Sequence, residues 1–225
     1  MFRRILDLFR RAGPKRHRVI PSSPEIPELW SGADASPRLG VLDDAKTRVL
    51  TALCDDYWDS FFAVNDDELF IRNSDVHRRA LQIIVQRGNE AISWARQRLS
   101  HPNYEAREDS AALIAEWAEN EMLGSEKADI AKELAILAVT RPKEDTKEAQ
   151  AASVALRALS CIGGPQLMTA VRQVLTSNDW NEDDNQWECA EILAGITNEP
   201  FMHAKDPVMA AKMWLQAHPE SGGTH

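Results

Sequence analysis

Residues 146–164 read TKEAQAASVALRALSCIGG, and residues 165–177 continue PQLMTAVRQVLTS. Apolar residues recur there at spacings of three and four, the period of a helix with one buried face. Gly163-Gly164 ends the first helix, and Pro165 opens the second. Two helices joined by so short a turn pack antiparallel, so the stretch reads as one helical hairpin.

The same pattern extends outward on both sides. Asp43 or Asp44 caps a helix running to about Cys54. Ser74 caps one through Arg87, which ends at Gly88, and Asn89 caps the next through Ser100, before Pro102. Residues 104–120, 126–140, 185–197 and 206–217 complete the series, and no length alternates with period two. The body reads as helix throughout, and the stretch from Asp55 to Phe70 follows the first helix with several aromatics and many acids.

Repeated helical pairs bury their faces against neighbouring pairs, so self-similarity is expected. Ala80-Leu81, Ala112-Leu113, Ala155-Leu156 and Ala190 with Ile192-Leu193 form a small-then-large step, spaced by 32, 43 and 35 residues. Alanine lets helices approach while the larger residue fills the gap. In the second helices, Ala95-Arg96-Gln97-Arg98-Leu99 is matched 76 residues later by Val171-Arg172-Gln173-Val174-Leu175, with Ala131-Lys132-Glu133 between them. Each carries a cation followed by a longer polar residue, which predicts a ladder of Arg96, Lys132 and Arg172 with Gln97, Glu133 and Gln173 beside it.

These features resemble the HEAT-repeat family of α-solenoids. The resemblance rests on Asp75-Val76 before Ala80-Leu81, on Glu105-Ala106-Arg107 before Ala111-Ala112-Leu113, and on Ala149 to Leu159 ending at Ile162-Gly163-Gly164. The closing segment Ile196-Thr197-Asn198-Glu199-Pro200-Phe201, with Asp206-Pro207 and Trp214-Leu215, is similar to the last unit of small bacterial members. The resemblance covers roughly residues 74–218. Asp55 to Phe70 and the lengthened unit near Gly124 depart from it. It implies an all-α, right-handed α-α superhelix of about four helical pairs, whose second helices line a concave binding face. It also implies an interaction scaffold rather than an enzyme.

Composition frames the rest. The 225 residues are 44% hydrophobic and carry a net charge of −9. Residues 1–18 hold seven Lys or Arg against Asp7, a net of +6 that leaves −15 on the remainder. So acidic a body disfavours nucleic acid, whose phosphates demand cations, and favours a protein partner with a basic surface. Residues 2–11 place Phe2, Ile5, Leu6 and Phe9 at helical spacing opposite arginines. The segment is read either as a frayed arm or as a weak membrane-surface contact, and its composition also suits a mitochondrial presequence. Five prolines between Gly13 and Gly40 mark a linker, so residues 1–40 are expected to be disordered, 41–218 folded, and 219–225 a disordered tail. Cys54, Cys161 and Cys189 lack disulfide or metal spacing, and no apolar run approaches the roughly 18 residues of a membrane span. A soluble, cytoplasmic protein without cofactor or metal is the expectation.

Motifs of catalysis are weak throughout. No histidine pair has helical zinc-site spacing, and GxSxG is absent. Asp179, Asn181, Asp183 and Asn185 are spaced like a calcium loop, but Asp184 stands where glycine is required and Ala190 where the twelfth-position Glu belongs. A HEAT-like DNA glycosylase would place Trp117, Asp109 and Arg107 around a nucleotide, which the body's charge opposes. Two further readings are a HEAT-like chromophore lyase and a membrane-surface adaptor. Trp94, Trp117, Trp187 and Trp214 are expected in the core, with Trp30 in the linker. Trp58, beside Asp55, Asp56 and Asp59, and Trp180, beside Asp179 and Glu182, are candidate partner anchors with Asp183 and Asp184. The favoured function is specific binding of a protein, in its most concrete form neutralisation of a basic toxin by a bacterial immunity-type protein.

Overall fold

The computed structural model describes residue 29 and residues 37–60, 67–140, 146–177 and 184–219. All regular structure among them is helical. In chain order the helices are α1 (Thr47–Ser60), α2 (Asp67–Arg87), α3 (Ile92–Arg98), α4 (Tyr104–Glu119), α5 (Lys127–Val139), α6 (Thr146–Ile162), α7 (Pro165–Thr176), α8 (Asp184–Thr197) and α9 (Pro207–Ala217). Short 3-10 turns lie at Leu39–Leu42, Gly88–Glu90, Gly124–Glu126 and Phe201–His203. The chain divides into two compact units, Met1–Trp94 and Ala95–His225. Residues 1–28, 30–36, 61–66, 141–145, 178–183 and 220–225 lie outside the described residues, and with them the expectations for the N-terminal segment, Trp30, Trp180 and most of the C-terminal tail.

From α4 onward the helix boundaries agree with the sequence period to within one or two residues. Asn103 caps α4, its side chain accepting from the Glu105 amide at 2.9 Å. Asp206 caps α9 by accepting from Met209 at 2.9 Å. Between α6 and α7 the chain must reverse within two residues. Gly163 takes φ 73° and closes on the Leu159 carbonyl at 2.8 Å, and Gly164 takes φ 92°, ψ −178°, a conformation that only glycine adopts cheaply.

The N-terminal half departs further from the boundaries that capping residues and periodicity imply. Ser74 caps nothing, because α2 starts at Asp67 and carries Ser74 in its interior. Likewise α1 continues past Cys54 to Ser60 and absorbs the start of the aromatic, acidic stretch. Within this unit α1 packs on α2. Leu50, Leu53, Cys54 and Trp58 of α1 and Val76, Ala80, Leu81 and Ile84 of α2 are all buried. His77 stacks on Tyr57 with ring centroids 4.0 Å apart, and Trp58 stacks on Trp94 at 5.4 Å. Trp94 also donates its indole N–H to Asp55 at 3.2 Å. Arg87, at the end of α2, donates to the carbonyls of Ala45 and Asp43 and so fastens the turn that enters α1.

The C-terminal unit is two-layered. In one layer α4 packs on α6 and α6 on α8; in the other α5 packs on α7 and α7 on α9. Contacts of α5 with α6, α7 with α8 and α8 with α9 join the layers. Trp117, Leu134, Leu156, Val171 and Leu193 are buried in that interior.

Candidate functional site

The ladder residues lie on α3, α5 and α7, but they do not form a free row of cations. Arg96 Nε lies 2.8 Å from both Glu133 oxygens, and its Nη2 donates to Oε1 at 2.7 Å. Its Nη1 reaches Glu126 at 3.3 Å. This two-pronged pairing, led by the hydrogen bonds to Glu133, pushes the guanidinium further above its ordinary range. Lys132 pairs with Asp129 one turn earlier at 2.9 Å, and that hydrogen bond holds the Asp129 carboxyl below its usual value. Arg172 donates to the carbonyls of Leu215 at 3.3 Å and His218 at 3.0 Å, satisfying the end of α9. Two of the three predicted contact cations therefore tie one second-layer helix to the next.

What α5 and α7 turn outward includes only part of the predicted ladder. Lys132 and Ile136 are exposed one turn apart on α5, and Thr169, Gln173 and Thr176 form the matching stripe on α7. The Thr169 and Thr176 hydroxyls donate back to the carbonyls of Pro165 and Arg172, an intrahelical use that occupies their donors. Gln97 is exposed on α3. Gln97, Lys132 and Gln173 thus keep the accessibility a partner contact needs, whereas Arg96, Glu133 and Arg172 are half-buried and already engaged.

The aromatic anchors divide sharply. Trp58 is 1% exposed, because α1 extends through it and turns it against Trp94 and His77. It is a core residue, and the expectation of a surface anchor is corrected. Trp187 is the reverse: its helical context suggests the core, yet it is 49% exposed on α8. The two neighbours of Trp187, Gln186 and Glu188, take the buried positions instead. Trp180, Asp179 and Asp183 lie outside the described residues, and Asp184 begins α8. Trp117 is fully buried and Asp109 nearly so, while Arg107 donates to the carbonyls of His101 and Pro102 at 2.6 and 2.9 Å. The three do not converge on an open cleft.

Cys161 and Cys189 are not activated as nucleophiles. Burial and the nearby Glu119 carboxylate push the Cys161 thiol up to about 11, and burial raises Cys189 as well, so both stay protonated at neutral pH. Among the described residues, no group of three or more His, Cys, Asp or Glu is placed to hold a metal ion. Glu188 on α8 is 8% exposed, accepts from Ser153 and Arg157 of α6, and is raised on balance by burial.

Glu108 on α4 is also pushed up, to about 7, by burial. A carboxyl with a folded value above its unfolded value of 4.5 binds more protons in the native state, so its contribution falls as pH rises through 4.5–7. Glu108→Gln removes that loss. The variant is expected to be more stable than the parent at pH 8 by about 1–2 kcal/mol, and nearly equal at pH 5. Urea titrations at the two pH values measure this, and an identical pH profile for the two proteins contradicts it.

No protein-family model matches the chain, and no curated protein or solved structure matches it.

Proposed function

We propose that this chain is a non-catalytic, HEAT-like scaffold that binds a protein partner through the outward faces of α5 and α7. The observation that carries the reading is the packing of those helices. Because α5 and α7 pack on one another and are backed by α6, Lys132, Ile136, Thr169, Gln173 and Thr176 are presented by a fixed framework. A preorganised array of this kind loses less conformational entropy on binding than a loop does. The right-handed superhelical course belongs to the same proposal. It is supported by the contacts of alternate helices within each layer, which is how stacked helical pairs bury their faces.

Net charge supports a basic partner. With −9 overall, and −15 outside residues 1–18, the chain attracts cationic surfaces over a distance set by salt. A bacterial immunity-type role against a basic toxin is the concrete form of this proposal.

The test compares the wild-type chain with Gln173→Arg on α7 and Gln150→Arg on α6, both exposed positions. Gln173→Arg is expected to weaken capture of the cognate protein about tenfold, equivalent to about 1.4 kcal/mol. Gln150→Arg should leave capture intact. Equal capture by both variants removes α7 from the binding face.

A further inference from the structure

We infer that the stripe Trp187, Glu191 and Gly195 on α8 is a docking site for an arginine-bearing segment of a basic protein. The three residues stand four apart, so they share one face of the helix, and all three are exposed. Their placement is fixed from behind. Gln186, Cys189, Ala190 and Leu193 are buried, and α8 packs on α6, α7 and α9. A rigid helix thus holds Trp187, 49% exposed, in a set position relative to the Glu191 carboxylate one turn on.

Gly195 is the residue the fold does not account for. Glycine inside a helix weakens it relative to alanine, because the unfolded chain loses more freedom on folding. A fold keeps one where φ is positive or where a neighbour leaves no room for a Cβ. Neither holds here. The left-handed residue after α8 is Asn198 at φ 57°, not Gly195, and a Cβ at Gly195 would meet nothing within 4 Å beyond its own stretch of helix. The bare backbone serves something outside the chain: it lets another backbone lie close against α8, as glycine does at ligand contacts.

The ring and the charge select an arginine. The face of an indole attracts a cation, and a guanidinium stacks flat on it where an ammonium keeps its water. Glu191 supplies the opposing carboxylate, on a chain whose net charge of −9 draws cations toward it. The nearby Arg157 of α6 is held by the buried Glu188, whose charge it offsets. An acidic segment would be repelled, and an uncharged one would strip water from Glu191 without pairing it. The stripe belongs to the layer of α4, α6 and α8, so it stands or falls separately from partner binding by α5 and α7.

Fluorescence anisotropy of a labelled peptide of alternating arginine and glycine, set against its lysine counterpart at about 0.15 M salt, reads the site. The wild-type chain should hold the arginine peptide about fivefold more tightly than the lysine peptide of equal charge. Trp187→Leu should abolish that preference. Glu191→Gln should weaken the arginine peptide about threefold, whereas Glu121→Gln, at an exposed acid after α4, should leave it unchanged. Gly195→Ala should raise the thermal midpoint and yet weaken the arginine peptide, a combination that a merely structural glycine would not give. Equal affinity of the wild type for the two peptides, or a preference retained in Trp187→Leu, means that net charge alone attracts them and overturns the inference. Binding by Gly195→Ala as tight as the wild type overturns it as well.

Discussion

Replacing Trp117 by alanine is expected to destabilise the C-terminal unit by about 3–5 kcal/mol, the range for truncating a fully buried large aromatic. Trp117 is 0% exposed on α4, in the layer where α4 packs on α6. Removing the indole leaves a void in the packing between α4 and α6, so lost dispersion contacts add to the lost hydrophobic transfer. The matching substitution Trp187→Ala on α8 should cost clearly less, about 1–2 kcal/mol, since half of that residue is already in water. Urea titrations followed by circular dichroism compare the two, and a Trp117→Ala variant within about 1 kcal/mol of the parent would show that the core is not packed as described.

Arg157→Ala is expected to cost about 2 kcal/mol at pH 8 and clearly less at pH 5. Glu188 is buried against α6, and Arg157 neutralises it from a side chain that is 55% exposed. Without Arg157 the carboxylate keeps only the Ser153 hydroxyl, and burial already raises its pKa. The folded value then rises further above the unfolded one. The variant therefore loses stability as pH increases, and recovers it at low pH, where Glu188 takes a proton and no charge is left buried. Glu188→Gln should lose less at pH 8 than Arg157→Ala, because it removes the buried charge together with its partner's role. Equal losses at both pH values for Arg157→Ala would mean that Glu188 is solvated.

Helix positions in the C-terminal half are legible because they depend on local chemistry. Gly163-Gly164, Pro165, Asn103 and Asp206 act within a few residues of themselves, and the apolar period states which side of each helix is buried. Ser74 misleads for the opposite reason. A good capping residue marks a start only where the preceding residues are not already helical, and here Asp67 to Asn73 extend α2 ahead of it. Trp58 and Trp187 exchange their expected places, since an aromatic among acids can turn toward a neighbouring helix or away from it. Only the packing of α1 on α2, and of α8 on α6, settles which.

The outward face of the second helices divides in the same way. Spacing alone brings Arg96, Lys132 and Arg172 to comparable places on successive second helices, and it exposes their neighbours Gln97 and Gln173. It does not reveal that Glu133 of α5 waits within 2.8 Å of Arg96, or that the end of α9 offers carbonyls to Arg172. A signal for the exposed Met209 and Met213 is present in α9, which has more apolar residues than one buried face can use. Local patterns along the chain suffice to make the body helical, to bound the helices of the C-terminal half, and to set a basic arm against an acidic body. They do not say which tryptophans are core, which cations are engaged between helices, or which apolar side chains remain in water; those follow from how the helices pack. Periodicity and capping act along one stretch of chain, whereas burial and ion pairing depend on which residues of distant segments arrive at the same place.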